Sequence, residues 1–455
     1  MDRKSGGIIA VSTAIGRSGI GVVRFSGTAD LAKLLVSRMT DIGTPRPRYA
    51  YFTAVRDGQG GVIDRGVVIW FRAPHSYTGE DVIEFQTHGN PVIQNTLIKV
   101  ALEIGGSSGL RLAGPGEFTK KAFLNGRLDL AQAESVMDLI NASSESAVRA
   151  AERSLEGTFS DSCQNLEKLL IDLRTNVEAI LDFPEEEIDF IREGRIRERI
   201  GEIRSALGKL LLQAGQGSLL REGIVIALVG SPNVGKSSLL NRLSDREVAI
   251  VTDVPGTTRD LVENSIEIGG LQVRLVDTAG LRATDDIVEA AGIRRALSEV
   301  ERADMILHLV APETLDSAGE LKEIKGRARP GTPVLTVTNK IDLLSEVPSG
   351  NESHLYISAR TGYGIDRLKE RILASVGFRN SVQGVFTARR RHIESLRHAE
   401  ASLDRAADLI REEPCALDMV AEELRIAGDS FGEILGEFSS EDLLGRIFST
   451  FCIGK

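Results

Sequence analysis

The sequence predicts a multidomain protein with an α+β N-terminal domain, an α-helical domain, and an α/β phosphate-loop domain inserted into the helical one. The prediction rests on changes of periodicity along the chain. Up to about residue 120, short apolar runs are mixed with one helical pattern. From Phe118, long proline-free stretches carry apolar residues at spacings of three and four. Between 222 and 378, short apolar strands alternate with helices, and helical spacing then returns from Arg389 to Phe451. The simplest topology gives the two helical stretches one shared core. The expected boundaries are 1–120, then 121–221 with 379–455, and the insert at 222–378.

In the first region, Ile8–Val11, Gly21–Phe25, Val67–Phe71 and Asp81–Phe85 read as strands. Pro91 opens a helix through Ile93, Leu97, Val100 and Leu102, which Gly105 and Gly106 close. Leu155, Phe159, Leu166, Leu169, Leu173, Val177 and Ile180 form one helical stripe that stops at Phe183-Pro184. A second helical stretch runs from about Ile196 to Leu220.

Bulk properties narrow the function classes. A length of 455 residues suggests about three domains. Hydrophobic and charged contents of 42% and 26% are those of a soluble globular protein. Cys163, Cys415 and Cys452 lie too far apart in sequence for a disulfide framework, and no Cys/His spacing suits zinc. The start lacks a signal-peptide core, and no run reaches the about 18 apolar residues of a membrane span, so a cytoplasmic protein without a membrane segment is expected. A net charge of −10 argues against a general nucleic-acid coat. Local basic stretches at Lys120-Lys121 and Arg389–His392 leave room for a specific RNA contact, although most such runs are solvated helix faces. Gly19 and Gly21 lack the third glycine of a dinucleotide fingerprint.

The chemistry is carried by an ordered set of loops in the insert. Gly230–Ser237 reads G-x-x-x-x-G-K-S between the apolar strand Ile224–Val229 and a helix, the context of a phosphate loop. Its backbone N–H groups, from Asn233, Val234, Gly235, Lys236, Ser237 and Ser238, would close on phosphate oxygens at a helix N-terminus. Lys236 would reach the β- and γ-phosphates, and the Ser237 hydroxyl would bind magnesium. A first switch spans Thr252, Asp253, Val254, Pro255, Gly256, Thr257 and Thr258, with Thr258 as the γ-phosphate and magnesium sensor. Asp277, Thr278, Ala279 and Gly280 follow a strand. There Asp277 supports the metal, and the Gly280 N–H can meet the γ-phosphate. Asn339, Lys340, Ile341 and Asp342, followed by Ser358, Ala359 and Arg360, read guanine. A carboxylate accepts from the guanine N1–H and 2-amino group, a donor pair that adenine lacks.

Position 281 is leucine, which cannot orient an attacking water. Glu289 is the candidate for that task, with Asp285 and Asp286 as competitors. No arginine finger is assignable. The Asn233 amide oxygen could instead help hold a monovalent cation that does the finger's electrostatic work.

At this point the chain resembles the MnmE (TrmE) family of tRNA-modification GTPases over essentially its whole length. Beyond the loops above, the resemblance is carried by Tyr77–Asp81 (YTGED), Pro115–Phe118 (PGEF), Ala122–Asn125, Leu128–Glu134, Phe183–Phe190 (FPEEEIDF) and Phe451–Lys455 (FCIGK). It implies an N-terminal folate-binding and dimerising domain, and a homodimer whose GTP hydrolysis is activated by potassium-dependent pairing of G domains. It also implies a complex with the FAD enzyme MnmG (GidA) that modifies C5 of wobble uridine 34 in tRNA. The one-carbon unit would come from 5-formyl- or 5,10-methylene-tetrahydrofolate. Carried over by motif, potassium ligands fall on Asn233, Thr252, Val254 and Thr257, magnesium ligands on Ser237 and Thr258, and the water-orienting role on Glu289. The folate site falls on Arg24, Glu84, Arg127 and Lys455, with Arg127 standing where some relatives are expected to carry lysine. Cys452 is a candidate reactive thiol beside the folate, with a packed thiol as the alternative. The rival class is a regulatory GTP switch, for example in ribosome assembly.

Overall fold

The computed structural model describes residues 6–182, 195–244, 265–277, 301–313, 317–346, 348–379, 382, 384–411, 416–437 and 441–455. It divides into two compact units, Met1–Met137 with Phe431–Lys455, and Asp138–Ser430. The stretch after the insert is therefore shared between the two units. Among the described residues, no helix is long and apolar enough to cross a membrane.

The first unit is built on β1 (Ile8–Val11), β2 (Ser18–Gly27), β3 (Tyr51–Arg56), β4 (Val62–Phe71), β5 (Asp81–Gly89) and β6 (Arg111–Leu112), with α1 (Ala29–Met39) and α2 (Pro91–Gly105). The sheet order is β3-β4-β5-β2-β1-β6, antiparallel except for β1 beside β6. Alternation sends Val23, Phe25, Ile83 and Phe85 into the core with Leu35 and Leu97 of the helices. It leaves Arg24 and Glu84, paired in register, outside that core. The Thr28 side chain caps α1. Asn90 caps α2 ahead of Pro91, so the proline fills a helix position where no N–H is needed. Next come α3 (Glu117–Leu124) and α4 (Leu130–Asn141). Leu130, Ala133 and Met137 of α4 pack against Leu444, Ile447, Phe448 and Phe451 of the C-terminal segment. Strand β3 and helix α1 were not expected from the sequence. In β3 a buried Ala54–Val55 pair replaces clean alternation.

In the second unit, α5 (Glu145–Leu155), α6 (Thr158–Asp182) and α7 (Ile196–Glu222) precede the α/β insert. The stripe expected from Leu155 to Ile180 is broken at Gly157, which takes φ +100°. Leu169 is 43% exposed, and Leu170 takes its place among the buried Leu166, Leu173 and Val177. Steps of four, three and four hold one helix face, and Leu169 falls about 70° from the centre of it. The insert holds β7 (Ile224–Val229), α8 (Lys236–Ser244), β8 (Ser265–Ile268), β9 (Leu271–Asp277), β10 (Met305–Val310), α9 (Ser317–Arg327), β11 (Val334–Thr338), β12 (His354–Tyr356) and α10 (Ile365–Ser375). The sheet order is β12-β11-β10-β7-β9-β8, parallel except for the β8–β9 hairpin. Helices α11 (Arg390–Leu409), α12 (Leu417–Leu435) and α13 (Glu441–Ser449) complete the chain. The observed multidomain class, with mixed, helical and phosphate-loop α/β parts, is the expected one.

Phe159 of α6 is fully buried and stacks on Phe386, just before α11, with ring centroids 4.6 Å apart. At Gly217 of α7 a Cβ would fall on the Phe386 carbonyl oxygen, so only glycine allows that approach. Phe159→Ala is expected to destabilise the protein by about 3–5 kcal/mol, read as a lower urea midpoint with an unchanged slope. A loss below about 1 kcal/mol would show that this stack is peripheral.

Candidate functional site

Strand β7 has β9 on one side and β10 on the other, so the sheet reverses its build direction there. Its C-terminal end is the switch point where such sheets bind ligands. The phosphate loop leaves that end. Gly235 has φ +97°, and a Cβ on it would strike the Asn339 amide. Asn233 has φ +64°, a left-handed conformation that asparagine tolerates. Lys236 opens α8 with 8% exposure, and its ammonium donates to the Gly230 carbonyl at 2.6 Å, which places the cation inside the loop. Ser237 and Ser238 are exposed on the first helical turn, Val234 is buried, and Ser237 presents a hydroxyl suited to a hard cation.

The loops expected to read the base sit at the ends of β11 and β12. Asn339 is 2% exposed. Its Nδ2 donates to the Val234 carbonyl at 2.9 Å, and its Oδ1 accepts from the Ala359 N–H at 2.9 Å. It thereby ties the phosphate loop to the loop after β12. Asp342 lies in a single helical turn, Ile341–Leu343, and accepts from the Ser358 hydroxyl at 2.6 Å. That bond, with Arg360 and Lys340 nearby, holds its carboxyl below the usual carboxylate range. Arg242 was missed by the sequence reading. It donates through Nε to the Ala359 carbonyl at 2.8 Å and also to the Arg360 carbonyl, fixing the loop from α8. Gly235, Ser238, Asn339, Lys340, Asp342, Leu343, Ala359 and Arg360 line a cavity of about 370 Å³, within the usual range for small ligands. The expected loops 230–238, 339–342 and 358–360 are thus brought together. Thr252–Thr258, Thr278–Gly280 and Glu289 lie outside the described residues, as does the side chain of Asp277.

A second polar cluster forms in the first unit. Arg24 and Glu84 pair at 2.9 Å, and the Arg24 guanidinium lies 5.7 Å from the Tyr77 ring and 5.9 Å from Phe118. The C-terminal tail runs into this cluster. The Gly454 carbonyl accepts from Ser12 at 2.8 Å, the Cys452 carbonyl from the Gly116 N–H at 3.3 Å, and the Lys455 carbonyl from the Phe118 N–H at 3.2 Å. Burial pushes the Lys455 ammonium below its usual pKa and Arg24 adds to that, while Glu84 and Cys452 oppose it. Cys452 is exposed, so the packed-thiol alternative does not describe it. Arg127 is exposed and lies along Gly79. Sequence reading missed a neighbouring network in which Glu80 accepts from Lys121 at 2.7 Å and from Ser26 at 2.9 Å. Its only sequence signal was the YTGED motif.

Comparison with known proteins identifies the family. Residues 7–127 match the family described as GTP-binding protein TrmE N-terminus, and residues 130–452 match the MnmE helical domain. A tRNA modification GTPase MnmE from Bordetella parapertussis is 50% identical over 98% of this chain and 99% of its own. One from Cupriavidus necator is 47% identical over 98% of each chain. Among solved structures, the G domain of the T. maritima FeoB iron transporter is 26% identical, with a TM-score of 0.25, over 33% of this chain and 98% of that one. The chain belongs to the MnmE family of tRNA modification GTPases.

Proposed function

We propose that this GTPase uses its nucleotide cycle to drive addition of an aminomethyl or carboxymethylaminomethyl group to C5 of wobble uridine 34 in tRNA. In this reading residues 222–378 are the G domain, inserted into a helical domain. The protein acts in the cytoplasm as a homodimer with an MnmG-type FAD enzyme. The observation that carries the reading is that one chain combines a phosphate loop and an N-K-x-D loop with a tail that brings Lys455 beside the Arg24–Glu84 pair, with Cys452 near Lys455. A carboxylate–guanidinium pair beside aromatic rings offers both a flat face and a polar edge, which suit a reduced pterin. Tetrahydrofolate would supply the one-carbon unit, and Lys455 would hold an anionic group of the ligand.

In the G domain, Lys236 and the loop N–H groups hold the phosphates and Ser237 contributes to the magnesium site. Asp342 reads guanine, with its carboxylate oriented by Ser358. Magnesium held there would neutralise phosphate charge. Potassium near Asn233 would add the positive charge that an arginine finger supplies elsewhere. Glu289 orients the attacking water. Nucleoside analysis of tRNA from a deletion strain, with and without this chain supplied in trans, tests the whole reading. Wobble uridine that stays modified in the deletion strain would overturn it.

Three outcomes are expected for the nucleotide site. Asp342→Asn should shift preference from GTP toward XTP, because an amide can donate to the xanthine 2-oxo group. Competition binding with both nucleotides checks this, and a retained GTP preference would place base reading elsewhere. Hydrolysis in potassium should exceed that in sodium by roughly two orders of magnitude, the worth of one transition-state donor. Equal rates in the two salts would remove the cation. Glu289→Ala should keep GTP affinity while single-turnover hydrolysis falls about 10²–10⁴-fold. Near-parental turnover would move the role to Asp285 or Asp286.

A further inference from the structure

The basic stretches visible in the sequence are largely spent on internal partners. Lys121 pairs with Glu80, Arg389 with Asp138 and Arg390 with Glu394. A different cluster is not. Arg46, Arg48 and Arg72 form no ion pair with a carboxylate among the described residues, although nearby Arg56 pairs with Asp41. Pro47, Arg48, Arg72, Ala73 and His75 line a cavity of about 400 Å³ in the first unit. Arg46, Arg48, Arg72 and His75 are all exposed.

This cluster is built rather than loose. The Arg46 N–H donates to the Tyr51 hydroxyl at 2.9 Å, and the Arg48 N–H to the Trp70 carbonyl at 2.8 Å. Trp70 is itself anchored through its indole N–H to Asp81 at 2.8 Å. Arg48 takes φ +60°, which is uncommon for a residue with a Cβ. Its Nη2 donates to the His75 carbonyl at 3.0 Å, which fixes the guanidinium at the cavity wall with its other N–H groups available. Tyr49, 54% exposed, stands beside the arginines with its ring 4.6 Å from that of Tyr51.

We propose that this pocket binds the phosphodiester backbone of the tRNA, with Tyr49 as a stacking platform for an adjoining base. The inference rests on the reading of tRNA as substrate and names where on the chain the RNA is held. Forked guanidiniums without protein carboxylates match phosphate oxygens, and an exposed aromatic beside them matches an unstacked base. On a chain of net charge −10, a local cation cluster of this kind also selects where a polyanion can dock.

The test is tRNA binding by the full chain across about 50–200 mM salt. Replacing Arg46, Arg48 and Arg72 together by alanine should weaken binding at least about tenfold at low salt. The same variant should flatten the slope of log K against log salt by about two to three. The triple lysine variant should keep most of that slope. Tyr49→Ala should weaken binding about tenfold and leave the slope unchanged. The circular-dichroism spectrum and the urea midpoint should stay parental in every variant, which shows that the fold is intact. Parental affinity and slope in the triple alanine variant would overturn this inference alone. Loss of binding to polyglutamate with none to tRNA would also overturn it, by assigning the pocket to an acidic protein. A parent chain that binds no tRNA would overturn both this inference and the substrate reading.

Discussion

The constraint on which the second unit depends is the Asp138 carboxylate. One of its oxygens accepts from Arg221 in the last turn of α7 and from Arg389 at the start of α11, each at 2.9 Å. These two arginines stand where the chain leaves the helices for the α/β insert and where it returns. The Asp138 side chain is 7% exposed and that of Arg389 16%, so neither charge is well solvated without the other. Removing one partner of such a group typically costs about 3–5 kcal/mol, because a buried charge is left uncompensated. Further bonds reinforce the closure. Gln216 of α7 donates to the Gly377 carbonyl and accepts from the Arg379 N–H, and the Ser154 hydroxyl of α5 bonds the Thr387 carbonyl. An insertion is tolerated when its ends are held together at a surface, and here that task falls to polar side chains on three helices.

Most of the nucleotide site was legible in the sequence because its parts are local. A phosphate loop is one turn between a strand and a helix, and the N-K-x-D loop follows one strand. Each segment therefore carries its own signature at fixed spacing. Arg242 was not legible, because it supports the Ala359 and Arg360 carbonyls from a helix more than a hundred residues earlier, and nothing in its neighbourhood signals a partner. Helical phase was legible only approximately. Leu169 and Leu170 both fit an apolar stripe within the tolerance of a three-or-four rule, and tertiary packing chose Leu170. Strand β3 escaped because its burial pattern puts two consecutive residues inside, which removes the period of two that identifies a strand.

The cluster around Arg24 was visible only through family resemblance. Its members are joined by sheet register and by a tail, and neither leaves a local trace. Arg24 meets Glu84 because β2 and β5 are antiparallel neighbours, and a one-residue slip of either strand would send its member of the pair to the helix-covered face. Arg127, carried over with them, lies beside Gly79, just before the β5 strand that carries Glu84.

The tail shows why a glycine belongs among its last residues. Gly454 takes φ +96°, and a Cβ there would fall on the Val11 carbonyl oxygen of β1. A residue with a side chain would be strained in its backbone and would also be pushed off the strand. The bonds that locate residues 452–455 fall on the tail's backbone, from Pro115 beside Ile453 and the Ser12 hydroxyl on the Gly454 carbonyl to the Phe118 N–H on the Lys455 carbonyl. They leave the side chains of Cys452 and Lys455 unspent on holding the tail in place. Glycine at 454 thus converts a terminal segment into a fixed carrier of one thiol and one ammonium. The low pKa direction at Lys455 follows from where that carrier sets it down, half-buried beside a guanidinium.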